Sequence, residues 1–378
     1  MDDKASKAKK KDAGPKDDSE SSILAQLVRE QQQQSADEQF NGDVSVLFCG
    51  SKRSGKTSLV ERFINPKKDE KDVPKPTVAL DYKYARKEVS DNSTSKMLAH
   101  IYDLGGEEGN ENLVPIPVTP ETVGNLVICV TLDLSEPYGV IPAFEKWVPL
   151  IRDQVNQSAE ALAKASASGA KRVEAMKQAR KDAYQENPDA ASVNLLPCPV
   201  VVFGTKWDVL ANDAEPEKRK SLCRALRYFA HMNGASLVFS SLKEKDAMNA
   251  VRGILRKLVF NTETKGGVPE QLDPSRPICV QAGRDSVEAI GKPHGSGSME
   301  KAWRDLLSTY FPDPGTGQGK DRASQKVDDE LKKFQESSID GMVAQRTLEL
   351  DLYRRQVERN QRLASEGVDG SKLGMLAS

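Results

Sequence analysis

The stretch that decides the fold reads Val44-Ser45-Val46-Leu47-Phe48-Cys49-Gly50-Ser51-Lys52-Arg53-Ser54-Gly55-Lys56-Thr57. Its last eight residues match G-x-x-x-x-G-K-[ST], the pattern of a phosphate-binding loop. The apolar run before the loop predicts a buried strand, and the residues from Thr57 to Ile64 predict the first turns of a helix. Such a loop needs this order of strand, glycine turn and helix. The alternative, a lysine-rich turn without a ligand, does not explain the flanking elements.

The loop predicts a site for a nucleotide polyphosphate. Backbone N–H groups around Gly55 converge on an anion where glycines permit close approach, and the helix dipole adds to the attraction. Lys56 is expected to bridge the β- and γ-phosphates, and the Thr57 hydroxyl is expected to ligate Mg²⁺. The predicted phosphate-binding residues are Gly50, Ser51, Lys52, Arg53, Ser54, Gly55, Lys56, Thr57 and Ser58.

Two further elements predict the rest of a magnesium and γ-phosphate site. Asp103-Leu104-Gly105-Gly106 follows a predicted strand and matches D-x-x-G, in which the carboxylate faces the metal through water and the Gly106 N–H approaches the γ-phosphate. Thr77 lies between the first helix and the second strand, where a hydroxyl can complete the metal shell. The predicted metal set is therefore Thr57, Thr77 and Asp103.

A fourth element favours guanine as the base. Thr205-Lys206-Trp207-Asp208 follows the fifth predicted strand and resembles [NT]-K-x-D, in which the aspartate accepts both guanine nitrogen donors and the lysine stem lies along the base. Ser240 and Ser241, at the end of the sixth strand, either add contacts to the base or are ordinary turn residues. The order of these motifs predicts GTP or GDP, with Mg²⁺, as the ligand.

Two positions argue against efficient hydrolysis. Small GTPases of the Ras type place a glutamine after D-x-x-G to orient the attacking water, whereas this chain has Glu107, an anion facing an anionic phosphate. Lys52 stands where those proteins need a glycine, because a side chain there crowds the γ-phosphate. We expect a non-catalytic nucleotide-binding protein, although slow GTPase activity or catalysis by an outside residue stays open.

Composition excludes several other functions. The chain has 378 residues, of which 38% are hydrophobic and 29% charged, and no apolar run is long enough for a membrane span. The formal net charge of −1 and the lack of a basic stripe argue against nucleic-acid binding. The five cysteines are far apart without zinc-binding spacing, so we expect buried thiols in an intracellular protein.

Alternating strand and helix signals, with the nucleotide motifs in the order that a GTPase requires, predict an α/β fold, a P-loop GTPase core with a doubly wound, mostly parallel six-stranded sheet and helical extensions at both ends. The stretch Ser158 to Glu186, within an insertion near 142–187, is expected to form an extended surface helix. The predicted regions are a disordered tail with a short amphipathic helix over 1–40, the core over 41–261, a packed extension over 262–311, a linker over 312–326, and a charged helix with a disordered tail over 327–378.

The two end helices are candidates for partner binding, because neither buries its apolar side chains well alone. For the first helix, packing on its own domain is an equal alternative, and for the second, fraying is the less favoured alternative. The predicted partner-binding side chains are Ile23, Leu24, Leu27 and Val28 in the first helix and Met342, Leu348, Leu352 and Tyr353 in the second.

These residues resemble the light intermediate chains of cytoplasmic dynein, most of all those of dynein-2, since the tail after residue 355 is short. Besides the loop and D-x-x-G, the resemblance rests on the runs Pro74 to Tyr82, Glu217 to Lys220, Leu226 to His231, Gly234 to Leu237 and Leu348 to Arg355. It implies a Ras-like P-loop GTPase core that acts as a structural subunit on the dynein-2 heavy-chain tail, working with the other intermediate and light chains and with intraflagellar transport trains. It also implies a location in the cytoplasm, on the cytoskeleton and in the cilium or flagellum, at the axoneme and basal body. The alternatives are a regulatory GTPase switch and, less favoured by the guanine-type motif, a P-loop kinase.

Overall fold

The chain divides into two units, Met1–Phe311 and Pro312–Ser378. The computed structural model describes residues 43–67, 72, 74–88, 96–262, 267–293, 297–314 and 337–365. The sheet and every predicted nucleotide-site residue belong to the first unit.

The first unit is built on a mostly parallel sheet. Its strands in the described chain are β1 (Asp43–Gly50), β2 (Leu80–Glu88), β3 (Lys96–Leu104), β4 (Leu126–Asp133), β5 (Val200–Thr205), β6 (Ala235–Phe239) and β7 (Cys279–Val280). They lie in the order β2-β3-β1-β4-β5-β6-β7. Strand β1 pairs in parallel with β3 and β4, and β4, β5 and β6 continue the parallel pairing. Strands β2 and β7 are antiparallel to their neighbours.

The predicted fold class is confirmed, but the predicted count of six strands is wrong. The seventh strand has only two residues, Cys279–Val280, and its place is fixed by pairing with β6 rather than by any alternating pattern of its own. Two residues are too few to show the two-residue period that identifies a strand.

Helices cover both faces of the sheet, so the central strands are apolar on both sides. Along β1, Val46 and Phe48 pack into one core cluster while Leu47 and Cys49 pack into the other. In the described part of the first unit the helices are α1 (Lys56–Ile64), α2 (Val140–Ala165), α3 (Ala167–Asp182), α4 (Trp207–Asp213), α5 (Pro216–Met232), α6 (Lys245–Phe260), α7 (Val287–Ile290) and α8 (Met299–Tyr310).

The insertion differs from the extended surface helix that the sequence predicts. It breaks at Ser166, whose extended backbone ends α2 and whose hydroxyl accepts a hydrogen bond from the Gly169 N–H at 2.9 Å, so that it caps α3. Val173 in α3 and Tyr184 just beyond it are buried. A few apolar side chains in a charged stretch are enough to fix the second helix to the core, and their spacing is too sparse to show a periodic face.

The chain beyond α6 returns to the core through a buried ion pair. The Arg227 guanidinium of α5 donates two hydrogen bonds to the Asp285 carboxylate, at 2.8 Å from Nε and 2.7 Å from Nη2. Helix α8 lies in the same extension, and its Trp303 and Leu307 are buried in the core cluster that also contains the buried side chains of α5. The ion pair and these apolar contacts fasten the extension to the domain.

The second unit contains one helix in its described part, α9 (Ser337–Ser365). Four predicted partner-binding side chains, Met342, Leu348, Leu352 and Tyr353, lie on α9 and are exposed. The other four, Ile23, Leu24, Leu27 and Val28, lie outside the described residues. Both sets stay predictions.

Candidate nucleotide-binding site

The phosphate-binding loop connects β1 to α1 through three residues with positive φ. These are Gly50 at 144°, Arg53 at 59° and Gly55 at 84°. Gly50 also has no room for a side chain, since an added Cβ would lie 2.2 Å from the Thr131 carbonyl oxygen of β4. The glycines therefore allow the loop to turn sharply against the sheet and bring its N–H groups toward the start of α1.

Lys56 is held at the centre of the loop. Its side-chain ammonium donates to the carbonyl oxygens of Gly50 at 3.0 Å and Ser51 at 2.7 Å, and lies 3.5 Å from the Ser54 hydroxyl. Only 5% of the residue is exposed, and burial lowers the Lys56 pKa against the opposing effect of the nearby Asp103 charge. Lys56 is thus a buried cation whose contact with Ser54 is long, which leaves one N–H of its ammonium able to bind a phosphate oxygen.

The three predicted metal-site residues meet at one carboxylate oxygen. The Thr57 and Thr77 hydroxyls donate to Asp103 Oδ2 at 2.6 and 2.9 Å and lie 3.1 Å from each other. The other oxygen, Asp103 Oδ1, is buried and has no hydrogen-bond partner. Burial raises the pKa of the Asp103 carboxyl, although both hydroxyls oppose the rise.

This donor set fits Mg²⁺. The ion prefers hard oxygen ligands and keeps several waters, which agrees with two hydroxyls and one carboxylate beside an open cavity. The unpartnered Asp103 Oδ1 also gains a partner if a hydrated cation lies beside it. Thr57, Thr77 and Asp103 would hold the ion, which would neutralise phosphate charge. In the described part of the chain, no group of three or more His, Cys, Asp or Glu side chains is placed to bind a metal.

Gly106 lies directly against the phosphate-binding loop. A Cβ added there would be 2.2 Å from the backbone nitrogen of Lys52, so only glycine fits. The segment that follows β3 is fastened to the segment that carries Thr77, since the Asn110 side-chain amide donates to the Val78 oxygen at 2.8 Å and the Gly105 oxygen at 3.1 Å. Asn110 thus links the two segments at the rim of the site.

The two residues that depart from the Ras-type pattern contact each other. The Lys52 ammonium lies 2.6 Å from the Glu107 carboxylate, with 60% and 49% of the side chains exposed. The pair spans from the phosphate-binding loop to the segment that follows β3.

The predicted base residues line a second cavity of about 290 Å³. Lys206, with a φ of 57°, extends its ammonium to the Asp133 carboxylate and lies 3.4 Å from the Ser135 hydroxyl. The Asp208 carboxylate accepts a hydrogen bond from the Ser241 hydroxyl at 2.8 Å and pairs with Lys243 at 2.6 Å. Burial works against ionisation, but these two contacts hold the Asp208 pKa below its usual value. A low pKa keeps Asp208 an acceptor for guanine nitrogens.

Most of the predicted phosphate-binding residues lie at a separate cavity of about 560 Å³, which is lined by residues of the phosphate-binding loop, by Thr77 and by Gly106. The two cavities share Arg53, Gly55 and Ser58. A phosphate cavity that adjoins a base cavity matches the two ends of a nucleoside polyphosphate.

The structure brings the predicted site residues into one region: the loop from Lys52 to Ser58, Thr77 and Gly106 line the phosphate cavity, and Thr205, Lys206, Asp208 and Ser240 line the base cavity. Asp103 lines neither cavity and joins the site through its hydrogen bonds with Thr57 and Thr77. Gly50 and Ser51 also line neither cavity, and their carbonyl oxygens accept hydrogen bonds from the Lys56 ammonium. Ser241 lines neither of these two cavities, and its hydroxyl donates a hydrogen bond to the Asp208 carboxylate. The sequence reasoning missed four residues of this region, which are Asn110, Asp133, Ser135 and Lys243. Asp133 had a usable signal, because it ends a strand that neighbours the strand carrying the base motif.

The fold and the site define a Ras-like P-loop protein. The model of the family "Ras of Complex, Roc, domain of DAPkinase" matches residues 45–164. The fold also resembles the structure titled "Crystal Structure of the Dynein Light Intermediate Chain's Conserved Domain", with a TM-score of 0.52 and 17% identity over 74% of this chain and 95% of that one.

Sequence relatives identify the family. "Cytoplasmic dynein 2 light intermediate chain 1" of Danio rerio is 33% identical over 86% of this chain and 90% of its own length. The Homo sapiens protein of the same name is 33% identical over 82% and 87%. A dynein 1 light intermediate chain 1 from Gallus gallus is 24% identical over 68% of this chain and 54% of its own length. The chain belongs to the cytoplasmic dynein 2 light intermediate chain 1 family and is a dynein accessory subunit.

No helix among the described residues combines the length and apolar character needed to cross a membrane.

Proposed function

We propose that this chain is a non-catalytic subunit of the dynein-2 motor that binds and stabilises the heavy-chain tail for retrograde intraflagellar transport and cilium assembly. Its guanine-nucleotide pocket serves to hold the core together. The observation that carries the proposal is the Lys52–Glu107 ion pair, which joins the two residues where a Ras-type enzyme has glycine and glutamine.

The ion pair is an argument for slow hydrolysis of the γ-phosphate. A carboxylate at position 107 repels an anionic phosphate and does not orient water as an amide does. Its contact with Lys52 keeps that carboxylate at the rim of the phosphate cavity, and the Lys52 side chain takes space that an outside arginine would need. The site therefore favours retention of nucleotide over turnover.

Two contacts support a structural role for the bound nucleotide. The Thr205 hydroxyl lies 2.7 Å from the Ser54 oxygen and 3.1 Å from the Leu132 oxygen, which ties the phosphate-binding loop to β4 and β5. Lys56 is a buried cation, and a phosphate beside it would offset the cost of that burial. A ligand that binds only the folded state stabilises the protein by mass action.

The proposal for partners rests on the family and on α9. The relatives are named as chains of cytoplasmic dynein 2. The proposed partners are therefore the dynein-2 heavy chain, the other intermediate and light chains, and the intraflagellar transport trains. Exposed Leu348, Leu352 and Tyr353 give α9 apolar surface for the heavy chain. The proposed location is the cytoplasm and cytoskeleton, and in the cilium or flagellum the axoneme and basal body.

The test compares Lys56→Ala with wild type, and Lys171→Ala, which removes an exposed lysine from α3, serves as the control. Mass spectrometry identifies the nucleotide released from each purified chain. Thermal unfolding with GDP and Mg²⁺, and capture by the dynein-2 heavy-chain tail, are then measured. We expect Lys56→Ala to lose nucleotide, melting temperature and heavy-chain capture together, and Lys171→Ala to behave as wild type. A Lys56→Ala chain that keeps its melting temperature and its capture would contradict the proposal.

A regulatory GTPase switch is the second candidate, and the position of Thr77 favours it. The Thr77 hydroxyl lies 2.9 Å from Asp103, on a segment that a triphosphate can order through its metal. A switch must bind its partners unequally in its two states. Heavy-chain capture compared between GDP and a non-hydrolysable GTP analogue, together with single-turnover phosphate release, separates the two candidates. A fast phosphate burst with unequal capture would favour the switch.

A further inference from the structure

Arg53 has a backbone conformation that an arginine rarely adopts. Its φ is 59°, in the left-handed region that favours glycine. Among the described residues, only Lys206 and Asn261 share a positive φ without being glycine. Asparagine tolerates this region, and Lys206 uses it to reach Asp133. A strained residue that persists at a binding site is a candidate for a function there.

The location of Arg53 indicates what that function is. Of the three residues that line both cavities, Gly55 and Ser58 are uncharged, so Arg53 is the one charged residue at the junction in the described chain. A nucleotide with its base in one cavity and its terminal phosphate in the other must pass its sugar and first phosphates across this junction. Arg53 therefore lies where those phosphates would be.

Arg53 is also free to bind an anion. Lys52 pairs with Glu107, Lys206 with Asp133 and Lys243 with Asp208. The Arg53 side chain is exposed and makes no hydrogen bond or ion pair with any residue that the structure describes. A guanidinium presents planar N–H donors that match phosphate oxygens two at a time.

We infer that Arg53 is a retention residue, whose guanidinium binds the phosphates nearest the sugar and slows the release of the guanine nucleotide. The inference rests on the proposed nucleotide pocket and adds a kinetic role to one side chain of it. Arg53 acts by charge and hydrogen bonding to the ligand, so its contribution must fall as salt screens the phosphates.

The test uses three variants of the full chain. Arg53→Gly relieves the backbone and removes the charge, Arg53→Asn tolerates the backbone and removes the charge, and Arg53→Lys keeps the charge without the planar fork. Arg284→Gly is the control, because Arg284 is an exposed loop arginine that lines neither cavity. Each chain is loaded with a fluorescent GDP and Mg²⁺, and release is followed after addition of excess GDP at two salt concentrations.

We expect Arg53→Gly and Arg53→Asn to release nucleotide about 10- to 100-fold faster than wild type, the change expected when charge-assisted hydrogen bonds are lost. Arg53→Lys should fall between, and salt should accelerate the wild type more than Arg53→Asn. Arg53→Gly should also raise the melting temperature of the nucleotide-free chain, because glycine relieves the positive φ. Stability and retention then change in opposite directions, which a merely structural arginine does not produce.

Two outcomes separate this inference from the proposed function. If wild type binds the fluorescent GDP and the charge-free variants release it at the wild-type rate, Arg53 has no retention role and the pocket proposal stands. If wild type binds no guanine nucleotide, the pocket proposal fails and the inference fails with it.

Discussion

Replacement of Asp208 by asparagine tests the base site directly. The carboxylate lies in the base cavity, where it can accept the two nitrogen donors of guanine. Asparagine keeps the shape but replaces one acceptor oxygen with an NH₂ donor, which repels a guanine N–H. The same donor suits xanthine, which carries a carbonyl oxygen where guanine carries its amino group. We expect Asp208→Asn to exchange GDP preference for XDP preference.

The size of the loss follows from the contacts at Asp208. Two hydrogen bonds to a charged acceptor contribute about 3–6 kcal/mol together. Guanine must displace Lys243, whose side chain is 74% exposed, and an exposed pair of this kind is worth about 0–1 kcal/mol. The net loss is about 2–6 kcal/mol, which corresponds to a fall in GDP affinity of about 30-fold to 20,000-fold.

The assay is competition between unlabelled GDP or XDP and a fluorescent nucleotide, in buffer with Mg²⁺. Asp213→Asn is the matched control, because it makes the same substitution at an exposed position of the same helix, α4. We expect the control to bind GDP as wild type does. If Asp208→Asn binds GDP as tightly as wild type and gains nothing for XDP, the base does not contact Asp208 and the assignment of guanine is wrong.

Three further predictions concern the fold and the metal site. Asp285→Ala should cost about 3–5 kcal/mol in urea unfolding, since Arg227 is left buried without its partner, and a loss under about 1 kcal/mol would contradict that account. Burial raises the Asp103 pKa, so ionisation of this carboxyl costs stability: in the nucleotide-free chain, the stability of wild type relative to Asp103→Asn should fall as pH rises from the unfolded value of about 3.9 through the higher folded pKa, and a difference that does not change with pH would contradict this. Burial also raises the pKa of Cys49 to about 12 and of Cys279 to about 11, so the native chain should resist iodoacetamide at pH 8 and react once unfolded; rapid native labelling would show these thiols to be accessible.

The sequence was sufficient for the features that depend on local patterns. Apolar runs gave the parallel strands, and the loop motif gave the first turn. The carboxyl ends of parallel strands meet at one edge of a sheet, so Asp103 and Asp208 could be assigned to one site before their distance was known. The short strand β7 could not be found this way, because Cys279–Val280 gains its structure from pairing with β6.

Side-chain pairing across the site needed the structure. Asp133 and Thr205 are register partners of β4 and β5, and this register places the next residue, Lys206, beside Asp133. The contact between Lys52 and Glu107 depends likewise on how closely Gly106 packs on the loop. Distances of this kind are set by tertiary packing and leave no periodic signal in the chain.

The Thr205 hydroxyl connects the phosphate-binding loop to the buried strand β4. It reaches both the Ser54 and the Leu132 oxygens, while Gly50 presses on Thr131. A substitution of a buried residue of β4 would therefore change the shape of the phosphate-binding loop without altering any side chain that faces the ligand. A heat-sensitive mutant that loses its nucleotide could therefore do so because its core is less well packed. A screen for mutants that lose nucleotide would then find folding defects as well as substitutions of residues that contact the ligand.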